Sequence, residues 1–190
     1  MQDERPVMIR LFVGLALPEA VQRQLDSLCA GVPGARWVAT ESRHLTLRFI
    51  GDVPESVAAD VDDALSEIES PAFDMTLEGI SQFSNRSQAR MIWIGTERNE
   101  RLMHLAAKVE SAVVRAGLEP EGRKFIPHVT LARLKDVRVD QLGPYLADHA
   151  LFRAGPFDVD RFVLFSSFLS RNGAIYTPEA EYPLKGAPSA

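Results

Sequence analysis

An α+β layer fold is what the sequence predicts, and three observations carry that prediction. Helical and strand-like patterns alternate along the chain without a glycine-rich phosphate loop and without the regular βαβ march of a doubly wound sheet. The 190 residues are 46% hydrophobic and 25% charged, which is enough to bury one core without disulfides or a structural metal. A helix followed by a strand that begins with histidine occurs once in each half of the chain, so the two halves echo one another.

Taken in order, Ile9 to Leu15 form a compact apolar run that reads as a buried strand. Acidic Asp3 and Glu4 ahead of it and Pro18-Glu19 behind it do not suit a secretion signal. Pro18 stands where a first helical turn accepts proline, and Val21, Leu25, Leu28 and Cys29 recur at helical spacing, which predicts a helix over about 18–30. Pro54 opens a second helix with Val57, Val61, Leu65 and Ile68 on one stripe; Asp60, Asp62, Asp63 and Glu67 lie off it on a solvated side. Alternation at Phe73, Met75 and Leu77 and the run Met91 to Ile94 predict strands. Leu102, Leu105, Ala106, Val109 and Val113 are in register for a third helix, which Gly117 is placed to end. A weaker helix over about 138–148 is interrupted by Gly143-Pro144, and Phe162 to Phe165 is a further strand. No low-complexity linker divides the chain, so residues 1–190 are expected to form one domain.

Charge and cysteine content narrow the function. Twenty-one Lys and Arg against 26 Asp and Glu leave a net charge of −5, which excludes the broad basic field that grips a long duplex but permits local capture of a small anion. The single cysteine, Cys29, can make neither an intramolecular disulfide nor a thiolate zinc cluster, and a cytoplasmic location is expected. No stretch approaches the roughly 20 apolar residues of a membrane span, so no membrane partner is expected.

The chemistry lies in the repeat. His44-Leu45-Thr46-Leu47 and His128-Val129-Thr130-Leu131 share the pattern His, apolar, Thr, Leu, and the offset is 84 positions for both the histidines and the threonines. On a strand, residues i and i+2 share a face, so each segment presents one imidazole and one hydroxyl together while its apolar residues enter the core. A lone strand histidine is usually a hydrogen-bonded structural residue. Two matching polar pairs on otherwise apolar strands are better explained by a cleft, because a core would have to satisfy all of their hydrogen bonds. The guest that suits two imidazoles and two hydroxyls is a tetrahedral oxyanion such as phosphate.

The duplicated His-x-Thr-x motif resembles that of the two-histidine (2H) phosphoesterase superfamily, and within it the bacterial RNA 2′,3′-cyclic phosphodiesterases. Supporting similarities are Arg10-Leu11-Phe12-Val13 with Leu17-Pro18, Arg36-Trp37-Val38, Phe125-Ile126-Pro127, and the order of Ser167, Leu169, Gly173, Tyr176 and Pro183-Leu184 near the C-terminus. The resemblance implies two pseudo-symmetric lobes, each an antiparallel sheet with helices on its outer face, flanking a central cleft lined by the two motif strands. It also implies hydrolysis of 2′,3′-cyclic phosphates at RNA 3′ ends, or of small cyclic nucleotides, to 2′-phosphomonoesters. His128 would be the proton acceptor and His44 the proton donor. Phe12, by the same resemblance, would help a terminal base to stack.

Two imidazoles can divide acid and base work near neutral pH, so no metal and no cofactor is expected. Thr46 and Thr130 would donate to non-bridging phosphate oxygens. Arg133 follows His128 by five residues, where the family often carries a basic residue, and a guanidinium suits phosphate through paired donors. Arg48 shares a face with His44 and Thr46 by strict alternation and is a further substrate-binding candidate. Trp37 and Trp93 are assigned to packing, and His104 and His149 to structural or solvated roles. Three other readings stay open: a metal-dependent hydrolase, for which no His-Glu-x-x-His or cysteine cluster speaks; a non-catalytic binder of phosphorylated RNA ends; and a related enzyme acting on another cyclic phosphate, a 2′-5′ linkage or the ligation of RNA. A monomer is expected.

Overall fold

A computed structural model of the chain describes residues 7–170 and 173–186. The described residues form nine strands and four α-helices in the order β1 (Met8–Ala16), α1 (Glu19–Asp26), β2 (Ala35–Trp37), β3 (His44–Pro54), α2 (Glu55–Ser66), β4 (Phe73–Asn85), β5 (Gln88–Thr96), α3 (Glu100–Arg115), β6 (His128–Arg138), α4 (Gly143–Asp148), β7 (Arg153–Val159), β8 (Arg161–Ser170) and β9 (Gly173–Pro183).

The helical periodicities are realised with small shifts at the ends. Pro18 and Pro54 stand just outside α1 and α2, at the N-cap rather than in the first turn. The expected extension of α1 to about residue 30 is not realised. Beyond Asp26 the chain tightens into i to i−3 bonds, with the Leu28 amide donating to Leu25 and the Cys29 amide to Asp26. α3 starts where the Asn99 side chain accepts from the Leu102 amide at 3.0 Å, and Gly117, at φ +95°, adopts the left-handed turn that ends it. The weaker helix is split as its Gly-Pro suggested, into a 3-10 turn at Val139–Leu142 followed by α4.

All strands join one antiparallel sheet in the order β7-β4-β5-β6-β3-β1-β8-β9, with β2 added to β6. It divides into two lobes of matching order, β3-β1-β8-β9 and β6-β5-β4-β7, joined at the centre by one bridging pair, Leu45 with Val129. β4 to β7 follow one another in the chain, so the second lobe is continuous apart from β2, whereas the first is completed by β8 and β9 from the end of the chain. β7 had no sequence signal of its own. Its Pro156 lacks an amide donor, which an edge strand tolerates.

Helices cover one face of this sheet. α2 and α3 pack together over β1 and β3, while α1 lies against β7 and is tied to α4 by the Tyr145 hydroxyl, which donates to the Leu28 carbonyl at 2.8 Å. The fully buried Leu45, Leu65, Leu105, Val109, Val129 and Leu131 belong to the core between helices and sheet. Each such side chain contributes about 1.5–3 kcal/mol through removal from water. Because β3 and β6 give their apolar residues to that core, their alternate residues face the opposite side, where the cleft lies. Among the described residues no helix is long and apolar enough to cross a membrane.

Candidate active site

β3 and β6 meet at the seam of the two lobes. Continuing the Leu45–Val129 register sets His44 across from Thr130 and Thr46 across from His128, so each imidazole faces the hydroxyl of the other strand. All four side chains line one cleft of about 470 Å³. The two distant motifs therefore converge, as their common spacing predicts.

Beyond the threonine, strict alternation fails in both strands at the same place. In β3, Thr46 pairs with Gly14 and Arg48 with Val13, leaving Leu47 as an extra residue. In β6, Thr130 pairs with Trp93 and Ala132 with Ile92, leaving Leu131 extra. These matched β-bulges exchange the faces of the residues that follow. The fifth residue after each histidine, Phe49 in one lobe and Arg133 in the other, is thereby brought into the cleft.

Arg48 is the casualty of that exchange. It is not among the cleft residues. Its guanidinium is turned to the helix side, bonding Glu110 at 2.5 Å and the Glu119 carbonyl at 2.6 Å, with a side chain only 10% exposed. The expected substrate contact is corrected to a structural anchor of β3 on α3. Phe12 is also corrected. It borders the cleft but is 3% exposed, and its ring packs against His44 at 4.6 Å, Phe165 at 5.0 Å and Tyr176 at 5.0 Å, so a base has no access to stack on it. Trp37, assigned to packing, contacts Tyr145 and also lines the cleft; Trp93 packs against Phe83 and His128.

Both histidines are held in the same way. Nδ1 of His44 lies 2.9 Å from the Ser42 carbonyl, and Nδ1 of His128 lies 2.6 Å from the Ile126 carbonyl. A carbonyl only accepts, so Nδ1 carries the proton, and Nε2 is left either bare as a base or protonated as an acid. The Phe12 face and the Tyr176 edge wall in His44, and the Phe83 edge and Trp93 wall in His128. Burial pushes the His44 imidazole below its ordinary range; the Ser42 carbonyl opposes this, and the neighbouring His128 adds to it.

Arg43, immediately before His44, is a positioning residue that sequence reasoning missed. Buried, it donates to the Val38 and Gln22 carbonyls, to Asp26 at 2.8 Å and to the Cys29 sulfur, while the Gln22 amide donates back to the Arg43 carbonyl. The network ties α1 to the start of β3. The Arg43 hydrogen bond also holds the Asp26 carboxyl below its usual range. Gly14 serves the same strand from the other side, since a Cβ there would stand 2.9 Å from the Leu45 carbonyl oxygen and 3.6 Å from the His44 ring.

The remaining polar groups can be read in turn. The Thr130 hydroxyl donates to the Met91 sulfur at 3.4 Å, a weak acceptor that yields easily to a charged oxygen. Arg133 is exposed on the cleft wall, without a carboxylate in ion-pair range among the described residues. Phe49, 42% exposed, offers an aromatic surface, with the Arg10 guanidinium 5.0 Å from its ring centre. Among the described residues no three His, Cys, Asp or Glu side chains converge as a metal site.

Comparison with known proteins also places the two motifs in separate repeats. The model of the LigT-like phosphoesterase family matches twice in succession, over residues 15–93 and 94–176. A protein of Aeropyrum pernix named RNA 2′,3′-cyclic phosphodiesterase is 35% identical over 170 residues, covering 88% of this chain and 95% of its own. One of Aquifex aeolicus with the same name is 30% identical over 190 residues, covering 94% and 99%. Among solved structures, Escherichia coli LigT complexed with 3′-AMP superposes with a TM-score of 0.77 at 27% identity, covering 95% of this chain and all of that one. With its two motif strands meeting in one cleft, the chain belongs to the LigT-like phosphoesterase family.

Proposed function

We propose that this protein hydrolyses 2′,3′-cyclic phosphates at RNA 3′ ends to 2′-phosphomonoesters by metal-independent acid-base catalysis. The observation that carries this is the pair of Nε2 nitrogens, fixed by carbonyl bonds at Nδ1 and supplied by two facing strands to one cleft. The relatives' names support the same substrate.

In the reaction, His128 Nε2 takes a proton from water as its oxygen bonds to phosphorus. The bond from phosphorus to the ribose 3′ oxygen breaks on the far side, and that oxygen takes the proton from His44 Nε2. The 2′ ester remains. Thr46, Thr130 and Arg133 hold the non-bridging oxygens, where charge accumulates. His44 must arrive protonated although its burial disfavours the charged form, and the phosphodiester anion supplies the compensating charge. Phe49 replaces Phe12 as the stacking surface for the terminal base, being the exposed aromatic of the cleft. Both motif strands come from one chain, which supports a monomer as the working unit, and the free Cys29 fits the cytoplasm.

The test is incubation of purified protein with a short RNA ending in 2′,3′-cyclic phosphate, in EDTA, resolving 2′- from 3′-phosphate products. A 2′-phosphate product at undiminished rate is expected. Loss of activity that a divalent ion restores would refute the metal-free mechanism, and a 3′-phosphate product would reject His44 as donor to the 3′ oxygen.

A further inference from the structure

We propose that the Tyr176 hydroxyl holds the leaving 3′ oxygen beside His44, so that the β8–β9 hairpin completes the donor side of the site. This rests on the cyclic phosphodiesterase reading. The rings that touch the imidazoles are Phe12, Phe165 and Tyr176 at His44, and Phe83 and Trp93 at His128. Phenylalanine has no hydrogen-bonding group, and Trp93 Nε1 is sealed in the protein without a partner. Tyr176 alone among these rings therefore offers the cleft a polar atom. The hydroxyls of its hairpin sort by face. Ser166 donates to Glu179, and Ser170 donates to the Gly173 carbonyl. Ser167 and Tyr176, directly opposed and both lining the cleft, make no hydrogen bond to any described residue. Tyr176 is half-buried, yet its oxygen is not among the sealed, orphaned atoms, so it stands open to a ligand.

Packing keeps the phenol at the imidazole. The Tyr176 ring centre lies 5.0 Å from those of His44 and Phe12, nearly perpendicular to both, while Phe12 stacks on His44. Because Nδ1 of His44 is spent on the Ser42 carbonyl, Nε2 is the atom that meets substrate. The 3′ oxygen takes its proton there, which puts that oxygen one hydrogen bond from the His44 ring and beside the neighbouring phenol. Charge separates this role from that of Thr46, Thr130 and Arg133. The non-bridging oxygens are anionic and suit a guanidinium, whereas the 3′ oxygen is a neutral acceptor before cleavage and a hydroxyl after it, and a phenol can pair with both. Tyr176 donates a hydrogen bond and keeps its proton; the proton that moves is the one on His44.

The test is equilibrium binding of two ligands, a nucleoside 2′-phosphate and its 3′-deoxy counterpart, to the whole protein and to Tyr176→Phe, which keeps the ring against His44 and loses only the hydroxyl. The unmodified protein is expected to prefer the ligand with the 3′ hydroxyl by about three- to tenfold, the factor that one net hydrogen bond carries. Tyr176→Phe should bind both ligands alike, and as tightly as the unmodified protein binds the 3′-deoxy one. Its kcat on an RNA cyclic phosphate should fall by a similar factor, with the His44 midpoint followed by NMR left in place. Ser167→Ala, which removes the other open hydroxyl of the hairpin, should keep most of the preference. A preference that survives in Tyr176→Phe, or that Ser167→Ala abolishes more fully, would overturn the proposal. Equal weakening of both ligands in Tyr176→Phe would overturn it by assigning the hydroxyl to the phosphate, and so would a lack of preference in the unmodified protein. Failure of the unmodified protein to cleave any 2′,3′-cyclic phosphate would instead reject the activity beneath it, and the binding comparison would show that separately.

Discussion

The two lobes carry the same backbone device and surround it with different chemistry. Each supplies a histidine anchored at Nδ1 by the carbonyl two residues earlier, a threonine two residues later, and an extra leucine that brings the fifth residue into the cleft. In the His44 lobe that fifth residue is Phe49 under the Arg10 guanidinium, and the imidazole is walled by Phe12 and Tyr176. In the His128 lobe it is Arg133 opposite Arg36, and the walls are Phe83 and Trp93. The duplication thus fixes where groups stand, and the side chains at matching positions give one lobe an aromatic surface and the other a cationic one.

The strongest way to break the comparison is to remove one imidazole at a time. If the lobes are complementary halves of one reaction, His44→Ala and His128→Ala each lower kcat by about 10² to 10⁴, and the double variant is little worse than either. Rates on an RNA cyclic phosphate check this, and a variant that retains full turnover would take its lobe out of the chemistry.

A smaller effect separates the two fifth positions. Arg133→Ala should lower kcat by about 10² if it holds charge that develops as phosphorus is attacked. Phe49→Ala should instead raise KM about tenfold with kcat nearly kept, because stacking is made equally before and during reaction. Steady-state kinetics distinguish these outcomes. Reversal of the pattern would exchange the roles of the lobes.

A gentler probe is the titration of His44, followed by NMR of the imidazole. Its depressed pKa, due first to burial, means that the donor form is lost at lower pH than for an exposed histidine, about 6.5. Inorganic phosphate should move the midpoint up by restoring a negative neighbour. His128→Ala should also move it up, since a positive charge on His128 disfavours one on His44. A midpoint indifferent to both would mean that the two rings do not share a field.

Much of this arrangement was legible in the sequence, and the failures have a common physical origin. Apolar residues at helical spacing placed α2 and α3, because burying a stripe leaves a period that composition cannot hide. The convergence of His44, Thr46, His128 and Thr130 followed from the two-residue period of strands. That period also misplaced Arg48, because the bulge at Leu47 is produced by pairing with β1 and has no glycine or proline to announce it. β2 was invisible for a similar reason. Three residues carry no period, and their place on β6 is a tertiary fact. Phe12 and Phe49 are both aromatic on motif-bearing or neighbouring strands, and only burial tells the wall from the platform.

The smallest expected change in activity belongs to Arg48, and it tests the bulge itself. The residue at the matching position of the other lobe is Ala132, which is fully buried against the core. If the bulge has turned both positions to the helix side, Arg48→Met should leave kcat and KM within about twofold. Its cost should appear in stability instead. The guanidinium now joins Glu110 on α3 to the Glu119 carbonyl, and losing these partly buried contacts should destabilise the fold by about 1–2 kcal/mol, or about 2–8 °C in Tm for a chain of this size. Glu110→Gln should produce a similar loss of stability, and combining the two should add little, because both break the same contact. A drop in kcat for Arg48→Met comparable to that of Arg133→Ala would place Arg48 in the cleft, and the matched bulges would no longer explain why the fifth residue, rather than the fourth, faces the phosphate.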